Sequence, residues 1–133
     1  NGAHAAACCA EARAAFEAAL AGSVDAGMRS EAQHGLVLTA LAEGRPERAA
    51  AHADALQIEM SDPQPGDATE RPAQWLAVAD ARHAAGDRAA AERALRAARD
   101  DLLDQAARIS DEAARARFLS AVPHNRRILE QAA

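Results

Sequence analysis

Apolar positions recur at helical intervals along almost the whole chain. In residues 3–21, Cys8, Ala12, Phe16, Ala19 and Leu20 share one face at steps of four, four, three and one, the spacing of an amphipathic helix. Gly22-Ser23 ends it, and a short linker through Gly27 leads to a second predicted helix over residues 30–43. Ser30 is its expected cap, and Leu36, Val37, Ala40 and Leu41 form its buried stripe. Gly44 supplies a left-handed stop and Pro46 a tolerated first-turn proline, so a third helix is expected over 46–60 with Ala49, Ala53, Leu56 and Met60 inward. Helices joined by so short a turn lie antiparallel.

The string SDPQPGDATE, residues 61–70, has two prolines, a glycine and no apolar period, and reads as an internal loop. Arg71-Pro72 opens a fourth helix whose inward set is Trp75, Val78, Ala79 and the stem of Arg82. Gly86-Asp87 turns the chain again, with Asp87 positioned to cap a fifth helix over 88–108 that buries Ala91, Leu95, Ala98, Leu102 and Ile109. Arg88, Glu92 and Arg96 stand at i,i+4 spacing on its outer side and read as a solvated face. Ser110-Asp111-Glu112 starts a sixth helix over 111–120 with Ala114, Phe118 and Leu119 inward, and Pro123 opens a last one carrying Ile128 and Leu129. Residues 111–133 are expected to cap the open end of the preceding hairpin.

Composition sharpens this picture. The chain has 133 residues, half of them hydrophobic but only 2% aromatic, and 41 are alanine. Its core must therefore be thin, with helices packed closely, and summed propensity leaves no room for a sheet. The formal charge is −5, every basic residue is Arg, and acids and bases are interleaved rather than sorted to one face, which argues against direct nucleic-acid binding. Arg-only, Ala-rich usage suggests a bacterial coding sequence rich in G and C. Cys8 and Cys9 are adjacent within a helical pattern and point away from each other, so a reduced, cytoplasmic setting is expected. No apolar run is long enough to cross a bilayer, and the start lacks a signal-peptide pattern. A chain that begins with Asn1 and enters a helix at once is expected to be part of a longer protein.

The two turn glycines lie 42 residues apart, with Ala49 and Ala91 each five positions further on. In the second copy Trp75 precedes Gly86 by eleven residues, and Ala91, Leu95 and Ala98 follow it at five, nine and twelve. This resembles the tetratricopeptide repeat: a first-helix tryptophan, a Gly-Asp turn, then a small, a large and a small residue on the second helix. Ala12, Phe16 and Ala19 repeat that spacing, as though the first helix were the second half of a hairpin. The chain departs from the pattern at Val78-Ala79, at Arg82 and at Gln33, which stands at the tryptophan position of the first copy. The ending, with Phe118-Leu119, Val122-Pro123, Asn125-Arg126 and Ile128-Leu129, resembles the tail of helical repeat arrays in large bacterial ATPase, cyclase or transcription regulators. The resemblance implies a single all-α domain over residues 1–133, six or seven helices stacked as antiparallel hairpins in a right-handed superhelix.

In such arrays the first helix of each hairpin lines the concave side. The resemblance thereby places Glu31, His34, Leu38 and Leu41 beside Ala73, Leu76, Asp80 and His83 as a partner-binding strip. The family's clamp for a partner's C-terminal carboxylate uses Lys and Asn, absent here, so the strip suits a helix or an extended segment of another domain or protein. The plain alternative is that these are ordinary solvated or packing residues. His4 and Cys8 have the i,i+4 spacing of two zinc ligands, but nothing completes a set, and no metal or cofactor is expected. There is no phosphate loop and no GxSxG, and Asp100, Asp101 and Asp104 stand among Arg96, Arg99 and Arg108, which neutralise them. The expected function is a protein-interaction scaffold without catalysis, in a bacterial signalling or transcription regulator. A self-associating homodimer, or a small-molecule sensor with an enclosed apolar pocket of at least about 300 Å3, are the alternatives.

Overall fold

A computed structural model describes residues 2–22, 25–61 and 70–132. Within them the chain forms seven helices and no strand: α1 (Gly2–Gly22), α2 (Ala26–Ala42), α3 (Pro46–Ser61), α4 (Arg71–Ala84), α5 (Arg88–Ala107), α6 (Glu112–Ala121) and α7 (Pro123–Gln131). Residues 62–69, most of the expected loop, lie outside the described residues, as do Ser23 and the side chain of His4. No helix among the described residues is long and apolar enough to cross a membrane.

Two hairpins, α2–α3 and α4–α5, repeat with one register. Both turns close identically: the Gly44 amide bonds to Leu41 O and the Arg45 amide to Ala40 O, and 42 residues later Gly86 bonds to His83 O and Asp87 to Arg82 O. This is the Schellman arrangement, which needs a left-handed residue after the helix; Gly44 has φ 69° and Gly86 φ 86°. A charged staple repeats too. Arg29 Nε donates to Glu59 at 2.9 Å, and Arg71 Nε donates to Asp101 at 3.3 Å, each tying the start of one hairpin's first helix to the end of its second across 30 residues.

The core runs continuously through the stack in two sections. Val37, Ala40, Ala49, Ala53, Leu56, Met60, Ala77, Val78 and Ala81 join α2, α3 and α4, with Ala94 of α5. Leu76, Ala98, Leu102 and Ile128 join α4, α5 and α7, with Trp75 and Leu95 bridging both sections. Alanine at so many contact positions lets helices approach closely, which is how a chain with few large side chains closes a core.

Four expectations need correction. Ser30 is not a cap: it is buried inside α2, which begins four residues earlier because Asp25 Oδ1 accepts from the amides of Gly27 at 2.7 Å and Met28 at 3.2 Å. In α1, Phe16 and Leu20 do turn towards α2, but Cys8 and Ala19 are exposed while Cys9 and Arg13 are half-buried. The helix is rotated so that Phe16 lies over Gly35, where a side-chain carbon would collide with its ring, and Arg13 bonds to Glu43. That bond, the largest influence, holds the Glu43 carboxyl below its ordinary range. In the tail, Ala114, Phe118 and Leu119 are only half-buried, and Ile128 carries the cap. Ile109 falls beyond α5, which ends at Ala107.

Candidate interaction surface

α2 and α4 pack side by side, and α7 lies against α4 and α5. The first-helix residues of both hairpins therefore share one side of the stack, but they meet different neighbours. On α2, Glu31 is exposed, His34 half-buried and Leu38 48% exposed, a large apolar side chain left in water. Leu41 instead turns to the core. On α4, Leu76 is 5% exposed because Ile128 of α7 covers it. Asp80 accepts from both ends of the Arg127 guanidinium, at 2.9 and 2.5 Å, a bidentate ion pair that anchors α7 by its charged side. His83 is exposed, and with Asp80, Arg88, Arg127 and Gln131 it rims an open cleft of about 360 Å3 over Leu95. Ala73 is half-buried.

The strip is thus open over α2 and roofed by the chain's own last helix over α4. His34 marks the boundary. It stands at the repeat position of Leu76, and burial is the main reason its imidazole is held below its ordinary pKa; Glu70 and Glu31 act to raise it and His124 to lower it. An apolar position in one copy is a histidine in the other, among groups from α2, the start of α4 and α7. Glu70, His124 and Arg127 were not in the sequence-derived strip. Their signal in sequence is weak, because their position depends on where α7 docks.

Comparison with protein-family models, curated proteins and solved structures finds no match. The resemblance to tetratricopeptide arrays therefore rests on the residues quoted for it. Among the described residues, no group of three or more His, Cys, Asp or Glu is arranged to hold a metal ion.

The other side of α4 carries Trp75 and Arg82. The indole N–H donates to Asp101 Oδ2 at 3.0 Å, the same carboxylate that takes the Arg71 staple. Arg82 reaches α3, donating to Asp54 at 2.5 Å and Gln57 at 3.0 Å, so its head group, not only its stem, links the hairpins. In the first copy the positions of Trp75 and Ala94 are held by Gln33 and His52, whose side chains hydrogen-bond at 3.1 Å. A polar pair there replaces aromatic packing.

Proposed function

We propose that the chain is a non-catalytic protein-interaction scaffold, a stack of helical hairpins serving a bacterial signalling or transcription regulator in the cytoplasm. The observation that supports this most is the open strip of α2, where Leu38 stands exposed on the same helix as exposed Glu31 and half-buried His34. A large aliphatic side chain in such a setting suits the apolar face of a partner helix or segment. The test compares two substitutions of exposed aliphatics, Leu38→Asp on the strip and Ile58→Asp elsewhere, Ile58 being 71% exposed. When the intact protein is isolated from its own cells, the partner, or the contact with another domain of the same polypeptide, is lost with Leu38→Asp and kept with Ile58→Asp. Equal behaviour of the two sinks the assignment.

A second reading is self-association through α1. Cys8 and Ala19, which belong to the apolar pattern of the helix, are exposed, as are Ala14, Ala15 and Ala18. Light scattering over a dilution series separates the two readings, since a monomer at every concentration removes this one.

A further inference from the structure

Between α3 and α5, over the side of α4 that faces away from α7, runs an open groove of about 370 Å3. Trp75, Ala94 and Ala97 give it apolar surface, and Gln57, Arg82 and Arg93 line its polar parts. Its size falls at the small end of ligand-sized sites, about 300 to 1,000 Å3. Trp75 is the chain's one tryptophan and is half-buried. Because its N–H is already spent on Asp101, what the ring offers the groove is carbon surface.

The polar groups around it differ in how far they are engaged. Arg82 is held by Asp54 and Gln57, and Asp87, at the edge, accepts from the Ala90 amide at 3.1 Å as the cap of α5. Arg93 is exposed and makes no ion pair or hydrogen bond among the described residues. The groove therefore presents an apolar patch beside one uncommitted positive charge. The first hairpin has no such arrangement: Gln33 and His52 bond to each other where Trp75 and Ala94 stand, and Ala51 replaces Arg93. The second copy alone combines the ring, the small neighbours and the free guanidinium.

We propose that this groove receives an extended acidic segment of a partner protein, with a large aliphatic side chain resting on Trp75 and Ala97 and an adjacent carboxylate on Arg93. The site is separate from the α2 strip and does not depend on it. The lone tryptophan makes it readable: the intact protein is titrated with acetyl-Glu-Leu-Glu-Leu-Glu-amide, and with the same peptide carrying Lys for Glu, while Trp75 emission is followed. The acidic peptide gives a saturable blue shift that weakens with added salt, and the basic peptide gives none. Arg93→Glu, an exposed change, weakens binding at least tenfold with an unchanged melting temperature. Ala97→Leu, which fills the groove, does the same, and Leu38→Asp has no effect. A flat emission titration with the acidic peptide, an equal response to the basic one, or full-strength binding by Arg93→Glu overturns the proposal.

Discussion

Gly35→Ala offers a sharp test of how α1 is seated. Gly35 is a buried residue in the interior of α2, where glycine costs about 0.5 to 1 kcal/mol relative to alanine on helix propensity alone. Taken by itself, the substitution should stabilise. The structure predicts the opposite, because the new Cβ would meet the Cζ, Cε1 and Cε2 atoms of Phe16 far inside van der Waals contact. The ring can yield only by leaving its rotamer or by lifting α1 off α2, the helix that α1 packs against. Overpacking of this kind costs about 1 to 3 kcal/mol, which offsets the propensity gain and leaves a net loss of up to about 2.5 kcal/mol. In a Phe16→Ala background the obstruction is gone, and the same Gly35→Ala change should stabilise by about 0.5 to 1 kcal/mol. Urea unfolding of the four proteins, followed by far-ultraviolet circular dichroism, reads both values. The sign must change between backgrounds. If Gly35→Ala stabilises equally with and without Phe16, α1 is not seated as described.

Other consequences can be measured on the same protein. Trp75→Ala should cost about 2 to 4 kcal/mol, at or below the range for a fully enclosed tryptophan because one side of the ring already borders the groove; a urea-derived loss under about 1 kcal/mol would remove it from the core. His34 and His52 are held below their ordinary pKa of 6.5, chiefly by burial, so the folded chain binds these protons less readily than the unfolded one. Their contribution to stability is complete above 6.5 and is lost as pH falls from there through the lowered folded values, so His34→Leu should flatten the fall in urea midpoint measured across that value, and an unchanged slope would contradict it. Arg127→Ala, which breaks an ion pair on half-exposed groups, should cost only about 0 to 1 kcal/mol. Ile128→Asp should strip hydrogen-exchange protection from α7 while α2 and α3 keep theirs, and protection persisting in α7 would mean that Ile128 does not hold it.

Much of this architecture is legible in residue types that carry their own geometry. Gly44, Gly86, Pro46 and Asp87 mark turns and helix starts by local backbone chemistry, and each stands in its expected role. Asp25 does the same but was hidden by Gly27, which in a helix reads as a breaker and here sits harmlessly in the first turn. What periodicity does not convey is which neighbour covers an apolar face. The exposed Ala19 shows this: α3 and α5 each have helices on two sides, whereas among the described residues α1 packs mainly against α2, so part of its alanine pattern stays uncovered. Leu76 and Asp80 show the converse. Their burial depends on α7, some 47 residues away in sequence at the Asp80–Arg127 pair, and no local signal links the two.

The proposed partner surface is the uncovered strip of α2 around Leu38. A photo-crosslinking amino acid placed at position 38 of the intact protein, with the same group at exposed Asp100 as reference, tests it in the cells that make the protein. Position 38 should give a discrete adduct, with a separate polypeptide or with a distant segment of its own, that position 100 does not give. Adducts that are absent at 38, or identical at both positions, would contradict it.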